Sequence, residues 1–197
     1  MLSVAVGIVL AGLLAAGLFS SGGSQGSSGS PASGNPRELH GGSPGSLPAF
    51  SLQRLGGGQS IRLPALGAGV DRPVVLVFFA SWCPPCRAEV PKVAQVAARV
   101  ASGPPPPHGE SRVAFIGIDV DDTASSALPF IRSARVRFPV GSDPNDRVAA
   151  GLLDLRGLPS TVLVYANGTI AKTILGPVTP KLLLAWIPRL EASSRRS

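Results

Sequence analysis

Cysteine is scarce in this chain: Cys83 and Cys86 are the two it has in 197 residues. Two thiols cannot build the disulfide framework of a small secreted scaffold, and they are too few for a four-thiolate zinc site. Histidine is equally sparse. His40 lies in a polar stretch and His108 follows a run of prolines, neither at ligand-like spacing to the cysteines, so no metal is expected. Aromatic residues make up 5% and charged residues 15% of the chain. The net charge of +7 is carried by arginines spread singly along the sequence, with no run longer than Arg195-Arg196 and hardly any interleaved aromatics. That distribution excludes the basic-aromatic stripe of a nucleic-acid binder, and no nucleic-acid partner is expected. No internal repeat is visible.

What is present falls into four stretches. Residues 2–19, LSVAVGIVLAGLLAAGLF, carry no charged side chain and are just long enough to span a bilayer as a helix. Residues 1–19 are therefore expected to be a membrane anchor or a signal segment. Length favours the anchor; a signal peptide would be cut near the small residues between Ala15 and Ser21. The basic flank of an export signal is missing, and the nearest basic side chain, Arg37, stands on the C-terminal side, so charge bias does not set orientation. Residues 20–46 are rich in Gly, Ser and Pro, cannot bury enough apolar surface to fold, and read as a flexible linker. Composition shifts near Leu47. One globular domain is expected over 47–190, with 191–197 as a flexible tail.

Within that domain FSLQ and SIRLP flank the glycines Gly56 to Gly58, which predicts a β-hairpin. PVVLVFF, residues 73–79, is a continuous apolar run of the fully buried strand type. From about Cys83 to Val100, Val90, Val93, Val96 and Val100 recur at helical spacing. RVAFIGIDV, residues 112–120, predicts a second buried strand. A helix is expected from about Thr123 to Arg135 and a shorter one from about Asn145 to Leu153. Two apolar runs around Asn167-Gly168 form a second hairpin. Thr179 then looks like an N-cap, with Pro180 at the first position of a final helix to about Leu190. The order is hairpin, β, α, β, α, short α, β, β, α. It predicts an α/β fold with a mixed central sheet, helices on both faces and an N-terminal β-hairpin extension.

The cysteine pair stands where a buried strand ends and a helix begins. A helix N-terminus has unpaired N–H groups and a partial positive charge, both of which stabilise a thiolate. Cys83 gains most from that position, and Cys86, one turn in, is expected to be more buried. Pro84 lacks an N–H that the first turn would leave unpaired, so it suits its site. Trp82 is expected to be an exposed aromatic beside the nucleophile, a flat contact for a protein substrate. A purely structural role is poor: a loop with two intervening residues removes little chain entropy from the unfolded state. The pair therefore reads as a redox reagent.

Strand, WCPPC and helix together resemble the thioredoxin superfamily, and the resemblance implies its fold. GLPST, Gly157 to Thr161, looks like the loop whose proline takes the cis peptide bond beside the two sulfurs. By that resemblance Pro159 is the cis-proline and Leu158 the residue whose backbone receives a substrate strand. Thioredoxin itself carries a buried aspartate six residues before its first cysteine; here that position is Val77. Instead Glu89 follows Cys86 by three residues, on the same helical face. CRAEVP at that spacing, together with FPVGSDPN, GLPSTVLVYANGTI and the N-terminal hairpin, resembles the TlpA-like or ResA-like branch of membrane-tethered thiol-disulfide oxidoreductases. That branch serves cytochrome c maturation and related extracytoplasmic reduction. The resemblance covers about residues 47–190, and departures are the proline-rich loop at 103–108 and Ser160, where threonine is usual.

The resemblance implies a mechanism. Cys83 thiolate attacks a substrate disulfide, and Cys86 then attacks Cys83 to release the reduced substrate. Glu89, desolvated near the second sulfur, exchanges a proton with Cys86. Trp82, Pro84, Pro85, Leu158 and Pro159 form the substrate contact. No cofactor is expected beyond the redox-active Cys83–Cys86 disulfide. The implied partners are a protein thiol or disulfide and a membrane electron donor. The implied location is the cell membrane, with the domain on the extracytoplasmic side, or secretion after signal cleavage. Two other readings stand beside the reductase: an oxidant of the same fold that introduces disulfides, and a non-catalytic adaptor. A peroxidase needs a threonine and a proline arranged before its cysteine, and FFASWC does not supply them.

Overall fold

The protein is described from a computed structural model over residues 45–63, 72–109 and 112–196. The expected anchor and all but the last two residues of the expected linker lie outside the described residues. Among the described residues no helix is long and apolar enough to cross a membrane.

Seven strands form one mixed sheet in the order β2-β1-β5-β4-β3-β6-β7. These are β1 Phe50–Arg54, β2 Ile61–Leu63, β3 Val74–Phe79, β4 Ala114–Val120, β5 Val140–Asp143, β6 Ser160–Val164 and β7 Ile170–Leu175. Among the described residues three α-helices accompany them: α1 Pro84–Ser102, α2 Ala124–Ser133 and α3 Pro180–Glu191. β3 pairs in parallel with β4 and antiparallel with β6. Both edges and both faces of β3 are thus covered, which is why all six of its residues are apolar and buried.

The alternation of β3 builds two cores. Val75, Val77 and Phe79 join the side chains of α1, α2 and α3, among them Val90, Phe130 and Leu183. Val74, Leu76 and Phe78 join Leu47, Leu52 and Leu63 with Val148 and Ala149 on the opposite face. The short helix expected near Asn145 to Leu153 is a π-type turn, Arg147–Leu152, in which Leu153 N–H donates to Val148 O five residues back. Asp143 caps it: its carboxylate accepts from the N–H groups of Arg147, Val148 and Ala149 at 2.9 to 3.0 Å.

Three features differ from expectation. β5 was not among the expected strands, because VGSD is short and half of it is Gly and Asp, residues poor in intrinsic strand preference. Tertiary pairing makes it a strand: β4 binds one edge and β1 the other. A Cβ on Gly141 would lie 2.8 Å from the Leu52 Cβ, so the glycine is what lets the hairpin close on β5. The expected flexible tail at 191–197 is instead a helical continuation, Ala192–Arg196. Ser193 is buried and accepts from Ala166 N–H at 3.1 Å, and Glu191 accepts from Val113 N–H at 3.2 Å. Sheet pairing also starts before Leu47: Gly45 O accepts from Ile170 N–H, and Ser46 bridges Thr169.

Candidate active site

β3 ends at Phe79, and the turn Ala80–Ser81–Trp82 delivers Cys83 to the N-cap of α1. The extended backbone of Cys83 ends the turn, and its sulfur accepts from Cys86 N–H at 3.3 Å. Pro84 and Pro85 occupy the first helical positions and are exposed. Cys83 and Cys86 form a disulfide with their Cα atoms 5.3 Å apart. The two sulfurs have unequal settings: Cys83 is 3% exposed beneath the turn, whereas Cys86 is 0% exposed among the side chains of α1. Trp82 stands out at 56% exposed, with its indole N–H donating to Asp121 O at 2.8 Å.

The turn is held from two sides. Ser81 N–H donates to Asp122 Oδ2 at 2.7 Å, while Ser81 O accepts from Arg87 Nη1 at 3.0 Å. Arg87 also lies over the Phe130 ring, 5.8 Å from its centroid, and Phe130 packs edge-on against Phe79. Asp122 Oδ1 accepts from Thr123 N–H, the N-cap of α2, at 2.7 Å. One carboxylate therefore ties the redox turn to the start of the next helix.

The Leu158–Pro159 peptide is cis. Leu158 and Trp82 line a common cavity of about 350 Å³, together with Val120, Leu155, Asp121 and Asp146. Pro159 is buried, and its carbonyl accepts from Gly176 N–H at 2.9 Å. Ser160 is buried too, its hydroxyl donating to Gly157 O at 2.6 Å, so the smaller residue still braces the loop.

Glu89 projects from the buried side of α1 and is 2% exposed. Its Oε2 accepts from Val178 N–H at 2.6 Å, and its Oε1 meets no donor among the described residues. Burial pushes its carboxyl up to about 7, against the downward pull of the Val178 N–H and the Lys92 ammonium. A carboxyl so placed can hold or release a proton near neutrality. Val77 in β3 is fully buried and apolar.

Reading the sequence did not find Asp121, Asp122 or Arg87. The signal available for the two aspartates was DVDD, acids at and just past the end of a buried strand. Val178 acts through its backbone and leaves no signal. Among the described residues no group of three or more His, Cys, Asp or Glu could hold a metal ion.

Sheet order, helix placement and a Cys-x-x-Cys disulfide at a helix N-terminus define a thioredoxin-like fold with a dithiol site. A model of the AhpC/TSA family matches residues 45–173, about two thirds of the sequence, and the chain belongs to that family. Among its relatives is the thiol-disulfide oxidoreductase ResA of Bacillus cereus, 27% identical over 117 residues, 59% of this chain and 62% of the relative. Another is the thiol:disulfide interchange protein CycY of Rhizobium leguminosarum, 33% identical over 120 residues, 59% of this chain and 58% of the relative. The chain thus spans about six-tenths of the length of these relatives. Among solved structures, MTB dsbF has a TM-score of 0.58 at 25% identity, over 72% of this chain and 94% of its own. A thiol:disulfide interchange protein of Chlorobium tepidum has a TM-score of 0.60 at 24% identity, over 77% and 98%, and shows the fold alone.

Proposed function

We propose that the chain is a thiol-disulfide oxidoreductase that reduces disulfides in exported proteins through the Cys83–Cys86 pair. The observation that carries this reading is the asymmetry of the two sulfurs at the head of α1. The Cys83 sulfur already accepts the Cys86 N–H in the disulfide, the same hydrogen bond that would stabilise a Cys83 thiolate after reduction. Cys86 is fully buried and suited to resolving a mixed disulfide from within. Cys83 thiolate attacks one sulfur of the substrate disulfide; a Cys83–substrate bond forms and the other substrate sulfur leaves as thiolate. Cys86 then attacks Cys83, the substrate leaves with both sulfurs reduced, and the protein pair is oxidised. Glu89 holds the proton that Cys86 gives up. Leu158 and Trp82, which wall one cavity, receive the substrate segment.

In this reading residues 2–19 anchor the domain on the extracytoplasmic side, a membrane donor of reducing equivalents restores the dithiol, and substrates include proteins of cytochrome c maturation. Relatives named thiol-disulfide oxidoreductase and thiol:disulfide interchange protein support the chemistry. The deciding measurement is the reduction potential of the pair in the full chain. A reducing value is expected; one near that of strong oxidants, around −120 mV, would reverse the direction of the proposal. A Cys86→Ala variant should hold the mixed disulfide on Cys83 and deliver the partner for identification. Activity from a reporter that works only in the cytoplasm, fused after Ser197, would overturn the location.

A further inference from the structure

Asp119 is the second buried acid near the redox turn, and the exchange mechanism makes no use of it. It is 0% exposed, and neither carboxylate oxygen meets a donor among the described residues. Asp143, also buried, shows the ordinary solution, with three backbone N–H groups on its carboxylate. Asp119 has no such arrangement. It sits at the C-terminal end of β4, in register with Phe79, the last residue of β3 before the turn. Gly117, two residues earlier and on the same face, points its missing Cβ at Phe79 and Phe138. Asp119 therefore faces the layer of α1 and α2, beneath the turn that carries Cys83.

The charged group that acts on Asp119 is Asp122, the carboxylate that holds Ser81 N–H. Two carboxyl groups side by side form a hydrogen bond only when one of them carries a proton. Beside Asp119, β3 contributes Phe79 and β5 Ser142 in register, and Phe130 of α2 packs edge-on against the Phe79 ring. Arg87 of α1, a cation at the turn, donates to Ser81 O and lies over the Phe130 face. Asp121 of the β4–α2 connection offers its backbone carbonyl to Trp82.

We propose that Asp119 and Asp122 hold one proton between them, and that this proton keeps Asp122 on Ser81 and sets the electrostatic state beneath Cys83. Asp119 is thus a positioning residue for disulfide exchange. With the proton in place, the pair carries one negative charge and the turn is anchored. When the proton leaves to water, two like charges face each other, that of Asp119 fully buried; Asp122 is driven off its anchor, and the added charge opposes the Cys83 thiolate. Burial and the Asp122 charge raise the Asp119 carboxyl to about 8, which puts this switch within the working range of thiol exchange.

The inference rests on the exchange reading of Cys83, but its test does not need a turnover assay. In the oxidised full chain, the carboxyl carbon of Asp119 is followed by NMR against pH, and in the reduced chain the rate of Cys83 alkylation is followed over the same range. Asp119 is expected to titrate well above the ordinary carboxylate range, and Asp122→Asn to lower that midpoint by about one unit. Alkylation of the native chain should rise in two stages. Asp119→Asn, which keeps the shape of the neutral acid, should give one stage and react about three- to tenfold faster between them, equivalent to half to one pK unit. Titration of Asp119 in the ordinary range, or an Asp119→Asn alkylation curve that superimposes on the native one, overturns the proposal. If disulfide reduction fails while both titrations behave as described, the exchange reading falls and the carboxyl pair stands.

Discussion

Two buried acids flank the redox turn, and they are kept in opposite ways. Glu89, on the α1–α3 side, sits on the N–H of Val178 with Lys92 in electrostatic reach. Asp119, on the β4–α2 side, has no donor among the described residues and faces the like charge of Asp122. Burial is the largest influence on both, but the protein opposes it at Glu89 and reinforces it at Asp119. One site therefore yields a carboxyl poised at about 7, the other a carboxyl raised to about 8. Desolvation alone makes an acid neutral; its neighbours decide whether it can also give up its proton in the pH range where thiols react.

Removing Cys83 abolishes what both acids surround. Cys83→Ser should reduce insulin disulfides at the background rate, and residual activity above background would point to a different nucleophile. Glu89→Gln comes next. It keeps an acceptor for Val178 N–H but no longer exchanges a proton, so release of the mixed disulfide should slow by about 100-fold and the Cys86 titration should shift. An unchanged titration and rate would leave Glu89 a structural residue.

A smaller effect separates the acids by stability. Each is held neutral in the fold, so the stability it lends is complete at low pH and drains as pH rises through its folded value. The window runs from 4.5 to about 7 for Glu89 and from 3.8 to about 8 for Asp119. Urea unfolding of the oxidised protein should therefore show stability falling through this range. Glu89→Gln should make the fall shallower between 4.5 and about 7 only, whereas Asp119→Asn should make it shallower throughout and remove it between about 7 and about 8; parallel curves for native and variant proteins would show that the acids are not held neutral. The smallest effect belongs to Trp82→Ala, which removes an exposed contact. It should raise KM for a protein substrate by a few-fold and leave kcat in place.

The fold was legible where local pattern and burial agree. VVLVFF announced a central strand because all its faces are covered, and Thr179-Pro180 announced a helix start that the structure caps through Leu182 N–H. β5 was illegible because its four residues become a strand only through neighbours that arrive from distant sequence. The end of the chain looked like a tail because Ser193 has no apolar pattern, yet its hydroxyl is the partner of Ala166 N–H. At the site, the cysteines and Glu89 could be read from spacing along one helix. Leu158 and Pro159 could be placed only by resemblance. Asp119 and Asp122 carried no legible role, since their meaning depends on a register between two strands and on an absence of donors.

Cys83 is 3% exposed, with Trp82 and two exposed prolines standing around it. A disulfide so covered behaves as a shuttered contact. On the proposed reading, a protein that seats itself against Trp82 and Leu158 would bring its own sulfur in line, a seat that a small thiol would lack. On that reading selectivity would come from access and not from the potential of the couple: two pools of thiols in one compartment would stay out of equilibrium because a partner of the right shape is needed to close the circuit.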